Sequence, residues 1–78
     1  MGDKKTESFI PALKKILGKG YDIHLSTFGH VLVRKNNVLL FKVCESIMTG
    51  EFSVRLEDRS SIDLAKKIGK KLKIKFVE

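Results

Sequence analysis

The sequence predicts an α+β fold: one small domain in the order α-β-β-β-β-α-β, with two helices packed on a mixed or antiparallel sheet. Three observations predict it. Apolar residues recur at helical spacing in two segments, one near each end of the chain, and at a spacing of two in the segments between and after them. Glycine, asparagine and serine pairs fall where the period changes. A length of 78 residues suits a single domain.

Residues 1–7 (MGDKKTE) have no periodicity and are expected to be a flexible N-terminus, leaving residues 8–78 as the domain. Met1 to Thr6 also fits the short myristoylation pattern, which chance produces readily. Phe9, Ile10, Leu13, Ile16 and Leu17 then form one helical stripe. With Ser8 as N-cap, Pro11 is the third helical residue, where its missing N–H has no partner to lose. Gly18 and Gly20 end the helix. Tyr21, Ile23 and Leu25 alternate with Asp22, His24 and Ser26 as a strand with one wet face. Phe28-Gly29 turns the chain into a second strand over residues 30–35, and Asn36-Asn37 suits a two-residue hairpin loop. The run from Val38 to Cys44, interrupted by Lys42, reads as the central strand, covered on both faces. Phe52, Val54 and Leu56 mark a fourth strand. Ser60-Ser61-Ile62-Asp63 reads as a helix cap with an acid in the first turn. The helix that follows turns Ile62, Leu64, Ala65, Ile68 and Leu72 inward, and Leu72, Ile74 and Phe76 alternate into a last strand.

Composition bounds the function. The chain is 42% apolar and 32% charged, as globular soluble domains are. One cysteine, Cys44, excludes an internal disulfide framework and a multi-cysteine zinc site. No apolar run approaches the roughly 18–20 residues of a membrane span, and the first residues lack a secretory pattern. A cytoplasmic location and no membrane partner are expected. A core this thin leaves little room for an enclosed active site, so function is expected on a surface.

The net charge is +7, and it is uneven. Glu45, Glu51, Glu57 and Asp58 make residues 45–60 acidic, whereas residues 61–78 are strongly basic. Lys66, Lys67, Lys70, Lys71, Lys73 and Lys75 fall within ten residues with no acid among them. Lysines at this density offer phosphate contacts, so the expected partner is a nucleic acid, DNA or RNA, bound through its backbone. Arg34 and Lys35, beside the asparagine turn, are candidates to extend the patch. The competing reading is that these lysines only solvate a helix face. Phe9, Phe41, Phe52, Phe76 and Tyr21 fall at core-facing phases, which leaves Phe28 as the aromatic that could meet a base.

Motifs for chemistry are sparse. His24 and His30 stand on different elements with no cysteine pair nearby, and Cys44 ends an apolar strand, where a small buried thiol is common. Gly18-Lys19-Gly20 follows a helix and lacks the spacing of a phosphate-binding loop. No cofactor is expected.

The layout of ESFIPALKKILGKGYDIHLS, GHVLVRKNNVLLFKVCES and FSVRLEDRSSIDLAKKIGKKLKIKFV resembles that of the archaeal Holliday junction resolvases, within the restriction-endonuclease-like nucleases. The resemblance implies a helix acid, an aspartate opening the second strand, and Glu-x-Lys on the third, which together hold a divalent metal for phosphodiester hydrolysis. Here Glu7 stands for the helix acid, His30 or Val31 occupies the aspartate position, and Lys42-Val43-Cys44 replaces Glu-x-Lys. A lysine there repels the metal, and Glu45 lies one residue beyond the motif. The resemblance therefore implies a non-catalytic relative that keeps nucleic-acid binding, with a diverged metal-dependent nuclease as an alternative. The chain is also similar to the small Alu-domain proteins of the signal recognition particle, which implies RNA binding through a basic sheet face or helix ends. A protein-interaction module docking a basic partner on residues 45–60 is a third alternative. A thin core favours pairing into a homodimer, although no residue marks the interface.

Overall fold

The structure, a computed structural model, describes residues 6–78; the myristoylation pattern and most of the expected flexible terminus lie outside the described residues. The element order is α1 (Phe9–Leu17), β1 (Asp22–Leu25), β2 (Val31–Lys35), β3 (Val38–Glu45), β4 (Phe52–Leu56), a 3₁₀ turn (Arg59–Ser61), α2 (Ile62–Leu72) and β5 (Lys75–Val77). This is the predicted α-β-β-β-β-α-β order. The sheet is mixed: β1 to β4 form an antiparallel meander, and β5 joins the edge parallel to β4. A parallel neighbour needs a crossover, and α2 is that crossover.

Local chemistry explains most boundaries. Ser8 holds the N-cap position of α1 without a side-chain cap hydrogen bond, Pro11 is the third residue of the helix, and Gly18 ends it at φ 76°. Asn36 and Asn37 both take positive φ, 55° and 65°, as a two-residue turn with right-handed strand twist requires. Lys73 adopts φ 60° to end α2 and turn the chain into β5, while the Ile74 N–H donates to the Gly69 carbonyl at 2.9 Å.

Residues paired across a ladder point to the same face. Val31, Val33, Phe41, Val43 and Val54 are fully buried on one face, with Phe76 beside them on β5. They share one core with Leu13 of α1 and Ala65 and Ile68 of α2. Both helices therefore lie on the same face of the sheet, and among the described residues no element covers the other face, which is bare in that sense.

This corrects the expectation that the Val38–Cys44 run is covered on both sides. Its near-continuous apolar character has a different cause. The β2–β3 register shifts at Val33/Arg34, so Leu40 is an extra residue, and both Leu40 and Phe41 bury. Cys44 lies on the bare face but is only 8% exposed; Lys42 and Arg55 are near enough for their charges to act on its thiol.

The serine pair before α2 also departs from expectation. Ser61 makes no side-chain cap. Its hydroxyl is buried and faces the carbonyl oxygens of Asp58, at 2.7 Å, and Leu40, at 3.2 Å. It ties the start of α2 to the bulge of β3.

Candidate nucleic-acid interface

The ladders align the bare face into rows. His24, Leu32, Lys42, Arg55 and Val77 form a row across all five strands, each the Cα partner of the next. On one side of that row Asp22 pairs with Arg34 and Arg34 with Leu39; on the other, Cys44 pairs with Ser53 and Ser53 with Lys75. Arg34, Lys42, Arg55 and Lys75 thus descend one strand at a time, as a diagonal of cations from β2 to β5. Three strand spacings separate its ends laterally, about 14 Å at about 4.8 Å each, and about four residues separate them along the strands. Leu32, Leu39 and Val77 fill the gaps, half-buried.

Lys42 and Arg55 are directly opposed. Like charges at such a position destabilise a sheet. The counter-charge is Glu57, whose Oε2 lies 3.4 Å from the Lys42 Nζ. Arg55 and Lys75 have no acidic partner among the described residues. Burial pushes the Cys44 thiol pKa up, while the Lys42 and Arg55 cations pull it down.

The lysine cluster of the last 18 residues does not form one patch. Lys66, Lys67 and Lys70 line a groove of about 670 Å³ with Asp63 and Phe76, on the helix side of β5, and the Lys66 Nζ stands 5.9 Å over the Phe76 ring. Lys73 and Lys75 line a second groove with Glu51, Phe52 and Ile74. Lys71 is exposed but borders neither groove. Because β5 is the edge strand, Lys75 on one side and Lys66 on the other form a belt around that edge. Arg34 belongs to the bare-face diagonal. Lys35 does not: it points to the opposite face, with its Nζ 5.0 Å from the Tyr21 ring centroid. Sequence reasoning did not place Lys42 and Arg55 on the candidate interface. Their signal was the alternation of β3 and β4, legible once one sheet face is known to be bare.

The aromatic residues sit as their phases predict. Phe41 is buried, and Phe9, Phe52, Phe76 and Tyr21 are half-buried on the helix side, with Phe9 and Phe52 in edge contact at 4.9 Å. Phe28 is 85% exposed, at the end of the sheet remote from the Asn36-Asn37 turn. Glu7, His30 and Glu45 line one cleft at that same end. Lys42 and Cys44 are not part of it, since they face the bare side. Among the described residues, no group of three His, Cys, Asp or Glu side chains could hold a metal ion, and no helix is long and apolar enough to cross a membrane.

Comparison with protein-family models, curated proteins and solved structures finds no match to this chain.

Proposed function

We propose that this chain is a non-catalytic nucleic-acid-binding domain that grips a sugar–phosphate backbone across the bare sheet face and around the β5 edge. The observation that carries this reading is the diagonal Arg34, Lys42, Arg55, Lys75 on a face no helix covers, continued round the edge by Lys66, Lys67 and Lys70. Glu57 already offsets the Lys42 charge, whereas Arg55 opposite it has no acidic partner among the described residues, so a phosphate there supplies the missing counter-charge. No aromatic lies on the bare face, so the contacts are to backbone and not to stacked bases. A basic sheet face is also what the likeness to the Alu-domain proteins implied, which makes structured RNA the first ligand to try. Lys42-Val43-Cys44 in place of a carboxylate motif supports binding without cleavage.

The test is fluorescence anisotropy with hairpin RNA, duplex DNA and a four-way junction, across a salt series. One phosphate contact from each of the four diagonal cations and the three edge lysines gives a log–log slope of about −6.3 on duplex DNA, a loss of roughly 6,000-fold in affinity between about 50 and 200 mM salt. The Arg55→Gln/Lys75→Gln double variant removes two of these contacts, so its slope is about −4.5 and its loss roughly 500-fold. Lys35→Gln leaves the slope unchanged. Wild-type protein that binds none of the three ligands at low salt overturns the proposal.

A further inference from the structure

The β1–β2 and β3–β4 connections meet at the end of the sheet away from the asparagine turn, and both display apolar side chains. Phe28 is 85% exposed, Ile47 99% and Met48 91%, with Leu25 at 40% below them. Large apolar groups held in water on neighbouring loops mark interaction sites. These loops are built, not frayed. The Ser26 Oγ accepts the N–H groups of Phe28 and His30, both at 3.2 Å, and the Ser26 N–H donates to the His30 carbonyl at 2.7 Å. In the second loop the Ser46 Oγ accepts the Thr49 N–H at 3.3 Å, the Thr49 Oγ1 accepts the Glu51 N–H at 3.2 Å, and the Ser46 N–H reaches the Glu51 carbonyl at 2.8 Å. The chain is fixed so that its apolar side chains point outward.

Between the loops and the residues before α1 lies a cleft of about 640 Å³, lined by Glu7, Leu25, Phe28, His30, Glu45 and Ile47 among others. That volume accommodates two or three side chains of a partner. Its charge selects which. On a chain of net charge +7, the described residues that line the cleft include two carboxylates, Glu7 and Glu45, and no lysine or arginine. A polyanion or an anionic bilayer is repelled here, whereas a cation beside an apolar anchor is complementary.

We infer that this end of the domain docks a protein segment carrying lysine or arginine next to large apolar side chains, with the apolar groups on Phe28 and Ile47 and the cations on Glu7 and Glu45. The surface is separate from the cation diagonal, so the inference stands or falls independently of nucleic-acid binding.

The full chain is panned against a phage-displayed random dodecamer library, and enriched peptides are titrated calorimetrically. Enrichment of Lys or Arg adjacent to Leu, Ile or Phe is expected. Affinity should fall at least tenfold in Phe28→Ser/Ile47→Ser and at least tenfold in Glu7→Lys/Glu45→Lys, with circular dichroism and the urea midpoint confirming that both variants fold. The serine variant should leave any nucleic-acid affinity unchanged. Four results overturn the inference: no enrichment over the naive library; peptides that are acidic or insensitive to both variants; wild-type dimers in sedimentation that the serine variant dissociates, which would make a second copy the occupant; and co-flotation with vesicles containing anionic lipid that the serine variant abolishes, which would make it a membrane.

Discussion

Replacing Ser61 by aspartate separates two accounts of how α2 begins. As an N-cap, aspartate serves as well as serine and gains from the helix dipole, so the change would be neutral or stabilising. In the structure the Ser61 side chain is a buried donor facing the carbonyl oxygens of Asp58 and Leu40. A carboxylate there donates nothing and meets two acceptors. The variant loses the hydroxyl's hydrogen bond and buries an unpaired charge, a combined cost of about 3 kcal/mol or more.

Ser61→Ala is the calibrating variant. The Leu40 carbonyl still accepts the Glu57 and Asp58 N–H groups, both at 3.0 Å, and the Asp58 carbonyl still accepts the Ser61 N–H at 2.9 Å. No acceptor is orphaned, so alanine costs only about 1 kcal/mol. A domain of this length has on the order of 4–12 kcal/mol of stability in all. The aspartate variant therefore loses a large share, and its melting temperature falls by roughly 12–24 °C at about 4–8 °C per kcal/mol. Burial beside carbonyl oxygens raises the new carboxyl's pKa in the folded state, so the deficit is small below about pH 4 and grows as pH rises. Urea unfolding at several pH values measures all of this. An aspartate variant as stable as wild type at pH 7 would refute the buried-donor account and restore the cap.

Two further outcomes follow from burial. Burial raises the Cys44 thiol above its ordinary value of 9.0, so the unfolded chain ionises first; the stability tied to that proton is present below pH 9 and lost as pH rises through the folded value. Cys44→Ala should accordingly flatten the alkaline limb of the stability–pH curve, and superimposable curves for the two proteins would refute this. A Cβ on Gly69 would lie 3.3 Å from the Ile74 carbonyl oxygen and 3.6 Å from the Phe76 Cβ, at the point where β5 leaves α2. Gly69→Val should cost about 1–3 kcal/mol in urea unfolding by overpacking; a valine variant of wild-type stability would show that β5 moves away freely.

What could be read from the sequence was local. The asparagine turn, the glycine stop after α1 and the place of Pro11 each depend on a few adjacent residues, and the sequence carries them intact. The cap before α2 was misread because a serine's role depends on what lies beyond it, here a carbonyl 21 residues away on β3. Coverage of the central strand was misread for a related reason: a bulge makes two consecutive residues bury, which in one dimension resembles a strand sandwiched between two layers.

The same distinction governs the candidate interface. Six lysines within ten residues look like one patch, yet a helix, a left-handed turn and an edge strand point them in different directions, and they divide between two grooves and open solvent. Lys42 and Arg55 are 13 positions apart in the chain, and only the β3–β4 register sets them opposite each other. On a helix, charge clustering in sequence carries over to the surface because neighbours three and four apart share a face. On a sheet it does not, since successive residues alternate and the partner strand supplies the neighbours. A charge pattern in a strand-rich chain therefore becomes a statement about a binding surface only after the register is known. Here the register brings together one residue from each of four strands, in a line no window of the sequence contains.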